Sequence, residues 1–456
     1  MLKIKNLNEL RSVKDFDSGV FANWQTPPMI LTITVLDNSQ VLASLDDTKT
    51  LNTEPTKVHS WNFTQAVKQT HLGVLLSLLK GFREAMPDYW SQIGQDIDSE
   101  LQCYIPDEDW QVAENTAGFC GNHLNGRNTI SGNKALWDLA RASYEFFDAV
   151  FPKTTSLRGL IDQLPMGSRI NVTWVPQRGD CIFNIPWGLL YSVNPQRGES
   201  ILGSNFWSLR YRIHYHTHDS YGGASQSRAL GDPAHTYFGH VLYWQGDDDD
   251  LVLREANWQR QRLSTSRMNF IMPVESELNS KDDVLAWLES LTPTPMPLLY
   301  FYCKANVDAH CVLEFGKRGI DRHSYRIQEI ELPNQRLNEV RFVFCNACGS
   351  GMPQPGQAFN RLENRFFSWG CMAYLGTIHE TPIEFASRFS MIFFHFFCNR
   401  IGKRIVSSGE AFSQAKRYLW LKHGNLGGLF YTYINEYDLY FADTKEVQRC
   451  QSFMGI

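Results

Sequence analysis

The chain has 456 residues, enough for two or three ordinary domains or for one large α/β unit with an accessory half. Hydrophobic residues make up 43% of it and charged residues 20%, a composition typical of globular proteins that excludes a disordered chain. The net charge of −5 arises from 43 basic and 48 acidic residues spread along the chain, so no basic face indicates direct nucleic-acid binding.

The amino-terminal end shows no targeting pattern. Residues 1–16 contain no apolar stretch of signal-peptide length. The longest apolar segment, 383–402, is interrupted by Glu384, Arg388 and His395, which predicts a buried helix rather than a membrane span. We therefore expect a cytoplasmic protein that does not bind membranes. Its 10 cysteines lack framework spacing, so we expect thiols rather than disulfides.

Strand and helix patterns alternate in the first half of the chain. Alternating apolar residues at 29–45 predict a β-hairpin. Leucines spaced three and four apart predict a helix at 63–82, and a second helix is indicated at 133–151, before Pro152. A strand pattern at 168–176 follows. This order indicates an α+β half.

The second half begins with strands and then changes character. Strand patterns at 206–218, 240–246 and 267–273 surround an acidic run, 247–250, that indicates a solvated hairpin tip. A helix pattern at 280–291 then precedes three continuous apolar runs, 297–303, 340–347 and 371–377. Such runs are typical of parallel strands covered on both faces. Helices with capping patterns start near Thr381 and Ser407.

We predict three regions: an amino-terminal half (1–200), a strand-rich connecting region (201–275) and a carboxyl-terminal domain (276–456).

Two cysteines, Cys345 and Cys348, end the apolar run at 340–347 just before a glycine-rich turn. Loops at the carboxyl ends of parallel strands carry ligand-binding groups, so Cys348 is a candidate nucleophile with neighbouring amides as oxyanion donors. A buried structural cysteine, a redox pair and a zinc site that recruits Cys303, Cys311 or His310 are the alternatives.

Three histidines, His214, His216 and His218, alternate along the strand pattern at 206–218 and would share one face. They could bind a metal, but a polar strand face explains them without one. We predict no metal and no cofactor.

Five stretches of the chain are distinctive when taken together: IPWGLLY (185–191), PLLYFYCKA (297–305), VFCNACGSG (343–351), 370–389 and 407–434. Their order resembles that in CHAT domains, the caspase-like peptidase domains related to separase. The resemblance is strong over 280–440 and weaker from 160. It implies a caspase-like three-layer α/β sandwich with an amino-terminal pseudo-caspase α+β half. Trp187 is expected to be a core anchor between the halves.

In CHAT domains a Cys–His dyad cleaves peptide bonds, and the cysteine lies in an N-A-C-x-S-G motif. The matching residues here are Asn346, Ala347, Cys348, Gly349, Ser350 and Gly351. The family's histidine ends the preceding strand, next to a small oxyanion-hole residue. This chain instead has Lys304 at the histidine position and Ala305 after it.

Lysine is cationic at neutral pH, so Lys304 could hold a thiolate but would be a poor proton shuttle. His379, after the run at 371–377, and His310, after the run at 297–303, are the alternative bases.

Two functions fit these residues. The first is a cysteine endopeptidase with Cys348 as nucleophile, acting on a protein or peptide and activated by a partner or ligand in a bacterial defence pathway, as the resemblance implies. The second is a catalytically degenerate pseudo-peptidase that binds proteins as a regulatory subunit, because Lys304 replaces the histidine.

Overall fold

A mixed β-sheet of eleven strands is the frame of the part of the chain that the computed structural model describes. That part comprises residues 29–35, 40–47, 59–62, 65–84, 129–174, 186–196, 201–216, 227–230, 237–242, 249–265, 269–271, 298–306, 312–314, 324–326, 341–351, 362–368, 370–398, 406–423, 425–435 and 437–441.

The described strands are β1 (Met29–Val35), β2 (Gln40–Asp47), β3 (His59–Asn62), β4 (Arg169–Trp174), β5 (Arg212–His216), β6 (Ser227–Ala229), β7 (Tyr237–Leu242), β8 (Asn269–Ile271), β9 (Leu298–Tyr302), β10 (Lys304–Asn306), β11 (Val312–Glu314), β12 (Ser324–Arg326), β13 (Phe342–Asn346), β14 (Ala373–Thr377), β15 (Tyr431–Asn435) and β16 (Asp438–Tyr440). The described α-helices are α1 (Gln65–Glu84), α2 (Thr129–Val150), α3 (Ser156–Asp162), α4 (Trp207–Arg210), α5 (Asp249–Thr265), α6 (Leu362–Ser368), α7 (Ile383–Cys398) and α8 (Ser408–His423).

The strand directions divide this sheet into two groups. Its order is β3-β2-β1-β4-β5-β15-β14-β13-β9-β7-β8. Strands β1, β4, β5 and β15 run parallel to one another, and β14, β13, β9, β7 and β8 run parallel in the opposite direction. The groups meet at the antiparallel pair β14–β15. The carboxyl ends of β9, β13 and β14 therefore share one edge with the amino end of β15.

The three continuous apolar runs form buried parallel strands, as the sequence predicted. Every residue of β9, β13 and β14 is buried. Phe344 packs on Phe394 of α7, with ring centres 5.7 Å apart. On the opposite face, Phe301 and Tyr374 pack on Phe366 of α6. Helices thus cover both faces of these strands, and the chain is an α/β protein. The hairpin β1–β2 is also confirmed.

The predicted buried helix at 383–402 is α7, which covers Ile383–Cys398 and is buried along nearly its whole length. Among the helices that the structure describes, none combines the length and apolar character needed to cross a bilayer. Helix α8 also starts as predicted, because Ser407 Oγ accepts the Glu410 N–H at 3.2 Å.

The prediction of a hairpin tip at 247–250 was wrong, because helix α5 begins at Asp249. The buried face of α5 carries Glu255 and Gln259 beside Ala256 and Leu263. Two polar residues on the buried face interrupt the apolar periodicity that identifies a helix. The helix pattern at 280–291 lies outside the described residues.

The buried polar residues of α5 find their partners on α7 and β9. Glu255 forms a bidentate ion pair with Arg388 of α7. Nη1 of the arginine donates to Oε2 of the glutamate, and Nη2 donates to Oε1 at 3.3 Å. The Arg388 guanidinium also lies 3.9 Å from the centre of the Trp258 ring. Gln259 Oε1 lies 3.0 Å from the hydroxyl of Tyr300. These contacts hold α5 against α7 and β9.

Trp187 is a core residue, as predicted, with 1% of its surface exposed. Its aromatic neighbours, Phe151 and Trp207, both come from the first 210 residues. Helix α8 also contacts this region, since Arg417 donates to the Leu209 carbonyl at 2.9 Å.

Replacing Glu255 by Gln should lower the free energy of unfolding by about 3 kcal/mol, because Arg388 would stay buried without its countercharge. Urea denaturation measures the change. The control is Glu145→Gln, which breaks the exposed pair of Arg141 and Glu145 on α2 and should cost less than about 1 kcal/mol. Equal losses in the two variants would show that the buried pair does not stabilise the fold.

Candidate active site at the carboxyl end of β13

The two cysteines of the C-x-x-C pair have different surroundings. Cys345 is fully buried in β13, whereas Cys348 lies past the end of the strand and is partly exposed. None of the described cysteines, which are Cys303, Cys345, Cys348, Cys371 and Cys398, forms a disulfide. The structure therefore presents Cys348, and not Cys345, at the edge where ligand-binding loops collect.

The turn after β13 requires its glycines. Gly349 has a φ of 71°, in the left-handed region that glycine adopts without strain. Gly351 donates its N–H to the Thr377 carbonyl at 2.7 Å. A Cβ on Gly351 would lie 2.4 Å from the methyl group of Thr432. The chain thus leaves the cysteine by passing tightly over the adjoining ends of β14 and β15.

Ser350 joins this turn to β13 and to the neighbouring β14. Its hydroxyl donates to the Cys345 carbonyl at 2.6 Å and accepts the Thr377 N–H at 3.0 Å. The hydroxyl of Tyr374 donates to the Ser350 carbonyl at 2.9 Å. With 2% of its surface exposed, Ser350 positions the turn and does not face solvent.

Thr377, the last residue of β14, binds the backbone on both sides of Cys348. Its hydroxyl donates to the Ala347 carbonyl at 2.6 Å and accepts the Gly349 N–H at 2.9 Å. The Gly349 amide, a predicted oxyanion donor, is thus already bonded within the protein. Sequence reasoning missed Thr377, although its place at the end of a neighbouring parallel strand was a signal that could have found it.

Asn346 is the polar centre under the turn and is 4% exposed. Its Nδ2 donates to the Ala386 carbonyl at 2.8 Å and to the Tyr300 hydroxyl at 3.1 Å. Its Oδ1 accepts from the Tyr431 hydroxyl at 2.9 Å. Asn346 therefore connects β13 to α7, β9 and β15, which makes it a positioning residue.

The tyrosines around Asn346 remain protonated donors. Burial raises the pKa of Tyr431 well above its ordinary value, and the nearby Tyr300, Tyr302 and Cys348 raise it further. Burial likewise raises the pKa of Tyr302, to which Cys348 also contributes. The thiol of Cys348 is thus an electrostatic neighbour of two buried phenols.

His379 lies beside the cysteine turn. Its carbonyl lies 3.4 Å from the Gly349 N–H, and its partly exposed ring lies 6.2 Å from the ring of Phe430. Burial lowers the pKa of His379, the cations Arg83 and Lys80 lower it further, and contacts with Glu380 act in the opposite direction. The imidazole is therefore neutral at pH 7, the form that accepts a proton.

The other two candidate bases are less fully described. Lys304 begins β10. Tyr302 of β9 pairs with Asn346 of β13. Lys304 follows Tyr302 by two residues, just as Cys348 follows Asn346 by two residues. Ala305 pairs with Leu313 of β11. His310 lies outside the described residues.

The three histidines that were considered as metal ligands are only partly described. His214 is buried in β5, with its Nδ1 3.0 Å from Asn435 Nδ2. Within the ranges that the structure describes, no three His, Cys, Asp or Glu residues lie close enough to hold a metal ion. His218 lies outside those ranges, and so do Cys311 and His310 of the zinc alternative.

Thr377→Val should lower the free energy of unfolding by about 1–3 kcal/mol, because it removes two buried hydrogen bonds, to the Ala347 carbonyl and from the Gly349 N–H. The Gly349 N–H would keep only its longer contact with the His379 carbonyl, at 3.4 Å. Released from these bonds, the turn should let iodoacetamide alkylate Cys348 faster. Peptide mass spectrometry measures the rate. Thr377→Ser keeps the hydroxyl and should behave like the wild type, and an unchanged rate in Thr377→Val would show that Thr377 does not position Cys348.

Arg83 reaches this site from helix α1 through an ion pair with Glu380, in which Nη1 and Oε2 are 2.5 Å apart. Arg83→Met should therefore raise the pKa of His379, since Arg83 lowers it in the wild type. Titration of the assigned His379 ring by NMR measures the change, with Arg141→Met on α2 as the control. An unchanged pKa would contradict the contact.

The lowered pKa of His379 also has a consequence for stability. The folded state binds a proton on His379 more weakly than the unfolded state does. The contribution of His379 to the free energy of unfolding is therefore fully present above the ordinary histidine pKa of about 6.5, and it is lost as the pH falls through the lower pKa of the folded state.

Comparison with known proteins identifies similar solved structures but no matching protein family. No protein-family model and no curated protein matches the chain. Two crystal structures of the Saccharomyces cerevisiae separase–securin complex, at 2.6 and 3.0 Å resolution, are similar to it with 11% identity and TM-scores of 0.42 and 0.41. Each match covers 91% of this chain but only 30% of the separase chain.

Proposed function

We propose that the chain is a cysteine endopeptidase in which the thiol of Cys348 forms the acyl-enzyme. The observation that carries the proposal is the position of Cys348, which is partly exposed at the sheet edge while Thr377 binds the backbone on both sides of it. Such pre-organisation suits a nucleophile, because small displacements of a reacting atom are costly in rate.

His379 is the proposed general base and acid. Its neutral imidazole takes the thiol proton, the thiolate sulfur bonds to the peptide carbonyl carbon, and the same proton passes to the departing amine as the C–N bond breaks. Water then attacks the thioester, giving a carboxylic acid and the original thiol. Lys304 is the candidate for stabilising the thiolate by its charge.

The resemblance to CHAT domains supports a peptide substrate. Activation by a protein partner or ligand, a place in bacterial defence and a cytoplasmic location remain predictions from the sequence.

A second function, a pseudo-peptidase that binds a protein partner, is favoured by two observations. Lys304 stands where the family has its histidine. The Gly349 amide, a predicted oxyanion donor, is bonded to Thr377 within the protein.

The two functions are separated by a peptide acyloxymethylketone probe. We expect a covalent adduct on Cys348 that disappears in Cys348→Ala and persists in Cys303→Ala, a partly exposed cysteine past the end of the neighbouring β9. His379→Gln should slow peptide cleavage by about 10²-fold or more.

Equal proteolysis by the wild type and Cys348→Ala would overturn the peptidase proposal. Higher activity of Lys304→His than of the wild type would instead indicate a degenerate site and favour the second function.

A further inference from the structure

A small cavity lies beside the candidate active site, between the 3-10 turn Trp187–Leu189, helix α8 and the start of β15. Most of its lining is apolar, and Leu189, Ile378 and Phe412 are among the residues that form it. Lys416 and Ser208 are among the polar residues that line it. They belong to neither the proposed dyad nor the bonds that hold the cysteine turn.

Lys416 is buried without a countercharge. Its exposed fraction is 2%, and its Nζ lies 4.0 Å from the centre of the Phe412 ring. Among the described carboxylates, none forms an ion pair with it. Burial lowers the pKa of Lys416 well below its ordinary value, and the neighbouring Arg417 lowers it further. An anion in the cavity would supply the negative countercharge that is missing beside Lys416.

Ser208 carries a second polar group that faces the cavity. It is 5% exposed, and its hydroxyl oxygen has no hydrogen-bond partner. Leaving a buried hydroxyl without a partner is costly, so this group is a ready donor for a ligand. Gly188 makes the close approach possible, since a Cβ there would lie only 3.0 Å from the Cβ of Ser208.

We propose that this cavity is a regulatory site for a small organic carboxylate. One carboxylate oxygen accepts from Lys416 Nζ and the other from Ser208 Oγ, while the apolar part of the ligand contacts Leu189, Ile378 and Phe412. One amine and one hydroxyl match a single negative charge, whereas a phosphate would require more donors than these. The small size of the cavity and the burial of its walls favour a small molecule over the side chain of a partner protein.

The regulatory part of the proposal rests on the proposed function and follows from two shared residues. Ile378 lies in the chain between Thr377 and His379, and it lines the cavity. Thr432 lines the cavity as well, and its methyl group is packed against Gly351 of the cysteine turn. An occupant therefore touches residues next to those that hold Cys348 and the proposed base.

Binding is tested on the full chain with acetate, butanoate and hexanoate, with hexanol as the uncharged control. Isothermal titration calorimetry should show affinity that rises by up to about fourfold per methylene until the cavity is full. Lys416→Met should abolish binding, Ser208→Ala should weaken it, and Lys134→Met, on the exposed part of α2, should leave it unchanged. Equal binding of hexanol, or full binding by Lys416→Met, would overturn the proposal.

Proton uptake gives a test that needs no variant. A carboxylate beside Lys416 raises the pKa of the amine, so titrations in buffers of different ionisation enthalpy should show protons taken up with the ligand. Binding without proton uptake would exclude Lys416 as the partner, and no binding of any carboxylate in the series would exclude the site.

Regulation is tested separately, by the rate at which iodoacetamide alkylates Cys348 with and without saturating ligand. A changed rate supports coupling between the cavity and the turn. An unchanged rate with intact binding would overturn the regulatory role alone. Absence of peptide cleavage would overturn the proposed function but would leave both of these measurements interpretable.

Discussion

The antiparallel pairing of β14 with β15 is the constraint on which the arrangement of the site depends. It joins two groups of parallel strands that run in opposite directions. Because of this reversal, the carboxyl ends of β13 and β14 share an edge with the amino end of β15. The pair Thr377–Tyr431 lies at that edge. Thr377 binds the cysteine turn, and Tyr431 binds Asn346 beneath it.

Buried polar groups hold the rest of the molecule around this edge. Asp438 of β16 is 2% exposed, and its carboxylate accepts from Gly409 N–H at 3.0 Å and from Ser407 Oγ at 2.8 Å at the start of α8. The same carboxylate pairs with Arg169 of β4 at 3.4 Å. A negative charge at a helix amino terminus is favourable, so this cluster joins α8 to the strands of the amino-terminal half. The buried ion pair of Glu255 and Arg388 likewise joins α5 to α7.

The chemistry of Cys348 depends on how its proton leaves. A neutral histidine beside a thiol can accept the thiol proton and then donate it to a departing amine, whereas a lysine cation supplies only charge. Helix α1 influences that choice, because Arg83 and Lys80 help to keep His379 neutral. Helix α1 is thus an electrostatic part of the candidate site, although it provides none of the residues in the cysteine motif.

The sequence by itself determined the elements whose burial follows from apolar pattern. Strands β9, β13 and β14, helix α7, the burial of Cys345 and the place of Cys348 at a strand end all follow from continuous apolar runs and their end signals. The tertiary structure decided the elements whose buried faces are polar. Helix α5 was missed because Glu255 and Gln259 are buried against partners more than 40 residues away in the chain. The backbone groups that Thr377 binds lie 28 and 30 residues from it. Burial of an apolar side chain is favourable wherever it leaves water, whereas burial of a polar one is costly unless particular groups, often distant in the chain, bond to it.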